Sequence, residues 1–145
     1  MNKIIKRIID VIFIAIIILL LCYFILKVLG IVNVFKVQTG SMEDGIHVGD
    51  YILSVKNDNY EVGDVVTYKY DGFYVTHRIV SIEDEKVITK GDANNIVDDE
   101  IIVNDIVGKV VYSGGILNFI FMYKYFLIAV MLTIYLASCY IKVDK

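Results

Sequence analysis

The chain has 145 residues, 57% of them hydrophobic, a formal net charge of -3 and no proline. A mean hydropathy of +0.65 and a hydrophobic share above the about 45–50% of ordinary soluble domains exclude a wholly water-soluble globule. Two apolar ends hold the excess, and the 15 acidic against 7 basic residues between positions 31 and 114 exclude nucleic acid as a partner, because phosphates need Lys/Arg surfaces.

Lys3, Lys6 and Arg7 precede an uncharged run from Val11 to Leu26. With Ile8, Ile9, Val28 and Leu29 it approaches the roughly 20 residues of a spanning helix. A cleaved secretory signal is the competing reading. The following KVLGIVNVFKV offers no pair of small residues spaced for cleavage, so an uncleaved anchor is expected. Roughly 80 residues remain before the second apolar run, enough for one small domain. Within them DYILSV, DVVTYKY, FYVTHRIVSI, KVITKG and DIVGKVVYS read as short strands separated by turn residues. Tyr70-Asp71-Gly72-Phe73 predicts a two-residue Asp-Gly hairpin loop, and Glu83-Asp84-Glu85 marks the next turn.

The second apolar run covers about residues 116–141. Lys124 interrupts it between Tyr123 and Tyr125, as a snorkelling cation in an interfacial aromatic belt would. An amphipathic helix lying on the membrane surface is the alternative. Basic residues at both ends, with Lys142 and Lys145 at the second, predict cytoplasmic termini and an extracytoplasmic middle. The expected organisation is therefore a cytoplasmic start and first span over 1–30, an outer β domain over 31–114, and a second span with a short tail over 115–145. Cys22 and Cys139 both fall in the apolar ends, so the middle has no disulfide framework and no cysteine-based metal site.

Ser41 lies in Thr39-Gly40-Ser41-Met42, about a dozen residues past the first span. A serine hydroxyl is a weak nucleophile and needs a base. Of the two histidines, His47 sits in the Gly-rich loop DGIHVGD, whereas His77 falls in a strand that fixes its direction. Carboxylates for the other ring nitrogen follow at Asp92, Asp98, Asp99 and Glu100, which would complete a triad defined by geometry. No metalloprotease spacing is present. GDANNIVDDE has oxygen donors for calcium but lacks the spacing and internal glycine of an EF-hand.

Taken in order, Gly40-Ser41-Met42, Gly63-Asp64-Val65-Val66, Thr76-His77-Arg78-Ile79-Val80 and Thr89-Lys90-Gly91-Asp92-Ala93-Asn94 resemble type I signal peptidases. The closer resemblance is to their endoplasmic-reticulum-type branch, found in eukaryotes, archaea and some Gram-positive bacteria, where histidine replaces a catalytic lysine. The resemblance implies a mainly β, signal-peptidase-like domain between two transmembrane helices. It implies a membrane-bound serine endopeptidase of the plasma membrane, without cofactor, cleaving signal peptides of secretory preproteins after small residues, with contacts to the secretion machinery possible. Ser41 would be the nucleophile and His77 its base. Asp98 is the best positional match for the acid, with Asp99 and Asp92 as alternatives, and Thr39 would join the Ser41 N–H in an oxyanion hole. The family usually reads Ser-Met-x-Pro, whereas this chain has Ser41-Met42-Glu43-Asp44; loss of the proline predicts a looser nucleophile loop. Two other readings are a catalytically impaired membrane scaffold whose β domain binds exported proteins, and a lysine-based enzyme using Lys90.

Overall fold

The computed structural model describes residues 3–140; Lys142 and Lys145, on which the orientation of the second end rests, lie outside them. Helix α1 runs over Lys3–Val28 and helix α2 over Gly115–Tyr140, 26 residues each. At 1.5 Å per residue each is about 39 Å long, more than the roughly 30 Å hydrocarbon core of a bilayer. None of the most apolar stretch of either helix is buried inside the protein. No residue in α1 interrupts the helical ladder before Gly30. There the chain turns out through a left-handed glycine (φ +69°), with Gly30 N–H donating to the Lys27 carbonyl and Ile31 N–H to that of Leu26, a Schellman cap. Between the helices, the Phe13 and Tyr135 rings stack 3.9 Å apart and Lys6 Nζ donates to Ser138 Oγ at 3.4 Å; within α1 the same Lys6 Nζ pairs with Asp10 at 2.7 Å. Lys124 sits within α2, 5.0 Å from the Tyr125 ring.

Leu26–Asn118 form a separate unit built on one antiparallel sheet. Its strands are β1 Val32–Lys36, β2 Tyr51–Val55, β3 Val65–Tyr70, β4 Phe73–Glu83, β5 Lys86–Lys90, β6 Ile101–Ile102 and β7 Ile106–Ser113. They pair in the order β1-β2-β7-β3-β4-β5-β6. The mainly β domain flanked by two long apolar helices is thus as expected, with two more strands, β1 and β6, than the hydrophobic pattern indicates. The Asp-Gly loop is present: Asp71 (φ +47°) and Gly72 (φ +83°) both take left-handed conformations, and Tyr70 pairs with Phe73, the signature of a type I′ hairpin.

Register shifts at Leu53/Ser54, Thr67/Tyr68 and Ile79/Ser81 mark bulges, which bend and twist a sheet. Gly108 lies where a Cβ would come within 2.7 Å of the Val55 carbonyl, so only glycine lets β7 and β2 approach this closely. The result is a sheet curled enough to bring β1 against β4 although three strands separate them, with the Phe35 and Tyr74 rings 4.7 Å apart.

The curl divides the interior into two apolar clusters. One holds Val66, Tyr68, Ile79, Val87, Ile101 and Ile106. The other holds Met42, Ile46 and Ile52, with Phe35, Val37, Val65 and Val110 packed around them.

Candidate active site

Ser41 lies in the loop between β1 and β2. Glu43 N–H donates to the Gly40 carbonyl and Ile46 N–H to the Met42 carbonyl, which coils the chain just past the serine. The buried Met42 and Ile46 side chains pin this coil into the second cluster. His77 lies in β4 with only 6% of its surface exposed. Its Nε2 is 2.9 Å from Ser41 Oγ, and its Nδ1 is 2.6 Å from Asp98 Oδ2. Ser41, His77 and Asp98 are therefore brought together in one hydrogen-bonded line. An imidazole so held keeps its proton on Nδ1, facing the carboxylate, and turns the lone pair of Nε2 toward the serine hydroxyl.

The competing carboxylates are engaged elsewhere. Asp99 Oδ2 accepts from the Tyr70 hydroxyl at 2.8 Å. Asp92 forms a two-pronged pair with Arg78, Nε to Oδ1 at 2.9 Å and a terminal nitrogen to Oδ2 at 2.7 Å. That arginine holds the Asp92 carboxyl below the usual carboxylate range, with its hydrogen bonds the main cause. Asp92 supports the site in a different way, through the backbone of its turn. Ala93 N–H donates to the Ser41 carbonyl at 3.0 Å, and a Cβ on Gly91 would lie 2.5 Å from that same oxygen. The glycine of this motif is there because the turn presses directly on the Ser41 backbone.

Lys90 does not approach Ser41. It pairs across the sheet with Arg78 and so shares the Arg78 face, while His77, one residue earlier in β4, points to the opposite face. The calcium reading also fails on geometry: Asp92 turns to Arg78, Asp98 to His77, and Glu100 to Lys86. Among the described residues, no group of three or more His, Cys, Asp or Glu side chains converges on a metal-sized site.

The expected looseness of the nucleophile loop has no counterpart in its contacts. Asp44 stands at φ +78°, a conformation the proline ring cannot adopt. In place of that ring the loop is closed by Glu43, whose carboxylate is 2.9 Å from His47 Nδ1 and accepts from Val48 N–H at 3.4 Å. Met42 adds a contact to the Asp92 N–H through its sulfur. Sequence reasoning assigned His47 no task; its spacing of four from Glu43 was the available signal.

A cleft of about 730 Å³ opens beside the serine, lined by β1 and the segment after it on one side and by Gly72–His77 on the other. Thr39 and Ser41 both lie on its wall. The Ser41 N–H donates to no carbonyl among the described residues.

A serine hydroxyl within hydrogen-bonding distance of a histidine, on a curled antiparallel sheet, is an arrangement that fits a serine peptidase. Residues 4–113 match a family model described as "Signal peptidase, peptidase S26", and the chain belongs to that family. Among curated proteins it is similar to the signal peptidase complex catalytic subunit SEC11 of Plasmodium falciparum (isolate 3D7), with 38% identity over 72 residues. That alignment covers 45% of this chain and 39% of the relative. The chain thus spans about two-fifths of the curated relative it matches, and the similarity agrees with the endoplasmic-reticulum-type branch.

Proposed function

We propose that this chain is a membrane-bound serine endopeptidase that removes N-terminal signal peptides from exported proteins by a Ser-His-Asp mechanism. The observation that carries the reading is the unbroken line from Ser41 Oγ through the His77 ring to Asp98 Oδ2. In the first step His77 Nε2 takes the Ser41 proton as Oγ attacks the scissile carbonyl, and Asp98 stabilises the imidazolium that results. The Ser41 N–H and Thr39 hydroxyl stabilise the developing oxyanion. His77 then returns the proton to the leaving amine. A water, deprotonated by the same nitrogen, hydrolyses the acyl-enzyme and frees Ser41.

Substrate binds extended along the outer edge of β1, where main-chain hydrogen bonds supply affinity, and the cleft admits small side chains before the cut. Residues 1–30 and 115–145 anchor the 31–114 domain at the outer face of the plasma membrane, with both termini cytoplasmic. Such tethering confines enzyme and signal helix to two dimensions, with Ser41 no farther from the end of α1 than about a dozen extended residues reach, roughly 40 Å. Contacts with the secretion machinery fit the similarity to a subunit of a complex.

The test is processing of a preprotein carrying an Ala-x-Ala site by the full chain in detergent. Ser41→Ala and His77→Ala should each lower kcat at least about 10³-fold. Undiminished cleavage by either variant would refute the mechanism and leave the non-catalytic scaffold as the better account.

A further inference from the structure

Asp98 belongs to the irregular segment between β5 and β6, and its side chain is 23% exposed. A carboxylate in such a place has several open rotamers, yet it must hold one oxygen on the imidazole. Three donors converge on that oxygen. Besides His77 Nδ1 at 2.6 Å, Asp98 Oδ2 accepts from Thr89 Oγ1 at 2.6 Å and from the Tyr68 hydroxyl at 3.2 Å. The two hydroxyls also touch each other at 3.0 Å. Thr89 grips the aspartate twice, since its carbonyl accepts the Asp98 N–H at 2.8 Å. Both partners are rigid: Thr89 is fully buried in β5, and Tyr68 is 2% exposed in β3, packed in the first apolar cluster.

We propose that Tyr68 and Thr89 are positioning residues of the catalytic machinery, which clamp Asp98 so that it holds the His77 ring in its Nδ1–H tautomer. The inference rests on the Ser-His-Asp reading above. A buried hydroxyl needs a partner, and among the described residues the Tyr68 hydroxyl bonds to Thr89 and Asp98. Burial, ahead of any other cause, pushes the Tyr68 phenol up to about 12, so it remains a donor wherever the enzyme works. Of the two other candidate carboxylates, Asp92 is held by Arg78 and Asp99 by Tyr70. Outer partners of this kind fix tautomer and ring orientation without meeting substrate.

The experiment compares wild type, Thr89→Val, Thr89→Ser and Tyr68→Phe as full chains in detergent micelles. It reads kcat and KM on the Ala-x-Ala preprotein and the ring ¹⁵N–¹H spectrum of His77. The chain has two histidines, so His47→Gln assigns the resonance. Thr89→Val and Tyr68→Phe should lower kcat roughly tenfold with KM within about twofold. They should also move neutral His77 from the Nδ1–H tautomer toward a mixture, and Thr89→Ser should restore both readouts. A wild-type tautomer in Tyr68→Phe and in Thr89→Val, or in Tyr68→Phe alone should the valine variant not fold, overturns the proposal. An active Ser41→Ala control overturns instead the reading beneath it.

Discussion

At the scale of single residues, Asp44 carries the clearest local lesson. Its φ of +78° lies where Asp is tolerated, Gly is comfortable and Pro is impossible. Restoring the family's customary residue is therefore expected to harm this chain. Asp44→Pro should cost more than about 1 kcal/mol of stability and lower kcat by displacing Ser41, whereas Asp44→Gly should leave both near wild type. Thermal melts and preprotein cleavage decide it, and a proline variant that melts no lower than wild type would show the backbone reading to be wrong. Residue identity also limits what sequence could reveal of the site. Ser41 and His77 were legible because short motifs carry them. The resemblance ranked Asp98 ahead of Asp99 and Asp92, and Asp98 is the carboxylate beside His77; the contact itself was not legible, since it depends on where side chains point from an irregular segment. Tyr68, and Thr89 although it begins a motif of the resemblance, were given no task, because an aromatic and a β-branched residue inside strands read simply as core.

At the scale of elements, the loop that carries Ser41 has an acid-base clamp of its own. The Glu43 hydrogen bond raises His47 above its ordinary 6.5, with smaller contributions from nearby Asp50 and Asp44. The same contact lowers Glu43 below 4.5. A raised histidine stabilises the fold fully below its unfolded value and loses that contribution as pH rises through the folded one. A depressed glutamate acts in the reverse sense, losing its contribution as pH falls. The clamp is thus complete at mildly acidic pH and opens toward alkaline pH. Amide exchange at Gly45–Val48, corrected for its intrinsic pH dependence, should be slower at pH 5.5 than at pH 8, and His47→Gln should abolish the difference. Equal protection at both pH values would dismiss the clamp. Among the strands, the hairpin at Asp71-Gly72 was legible because its turn chemistry admits few alternatives. Strand β1 was not, because VNVFK follows directly on an apolar anchor, and the two residues of β6 are too few to show a period.

At the scale of the whole molecule, the site joins two hydrophobic clusters that share no residue. Met42, next to Ser41, lies in one, and Tyr68, hydrogen-bonded to Asp98, lies in the other. The curl that sets the residues of the site at hydrogen-bonding distance comes from bulges and from the close approach at Gly108, which no strand-by-strand reading reveals. The curl also leaves β1 paired on one side only. An unsatisfied strand edge attracts any extended backbone, including that of another copy of the same protein. Storage without substrate should therefore be the hazardous state: concentrated chains in detergent are expected to form sheet-rich oligomers through β1. An extended peptide occupying that edge should suppress them, as should a charge introduced by Val34→Lys. Light scattering against concentration, with and without peptide, measures this, and an unchanged monomer throughout would remove β1 from the account. If the proposed function holds, the edge that recruits a substrate is also what makes an idle enzyme prone to clump, so a steady supply of preprotein would act as its solubiliser.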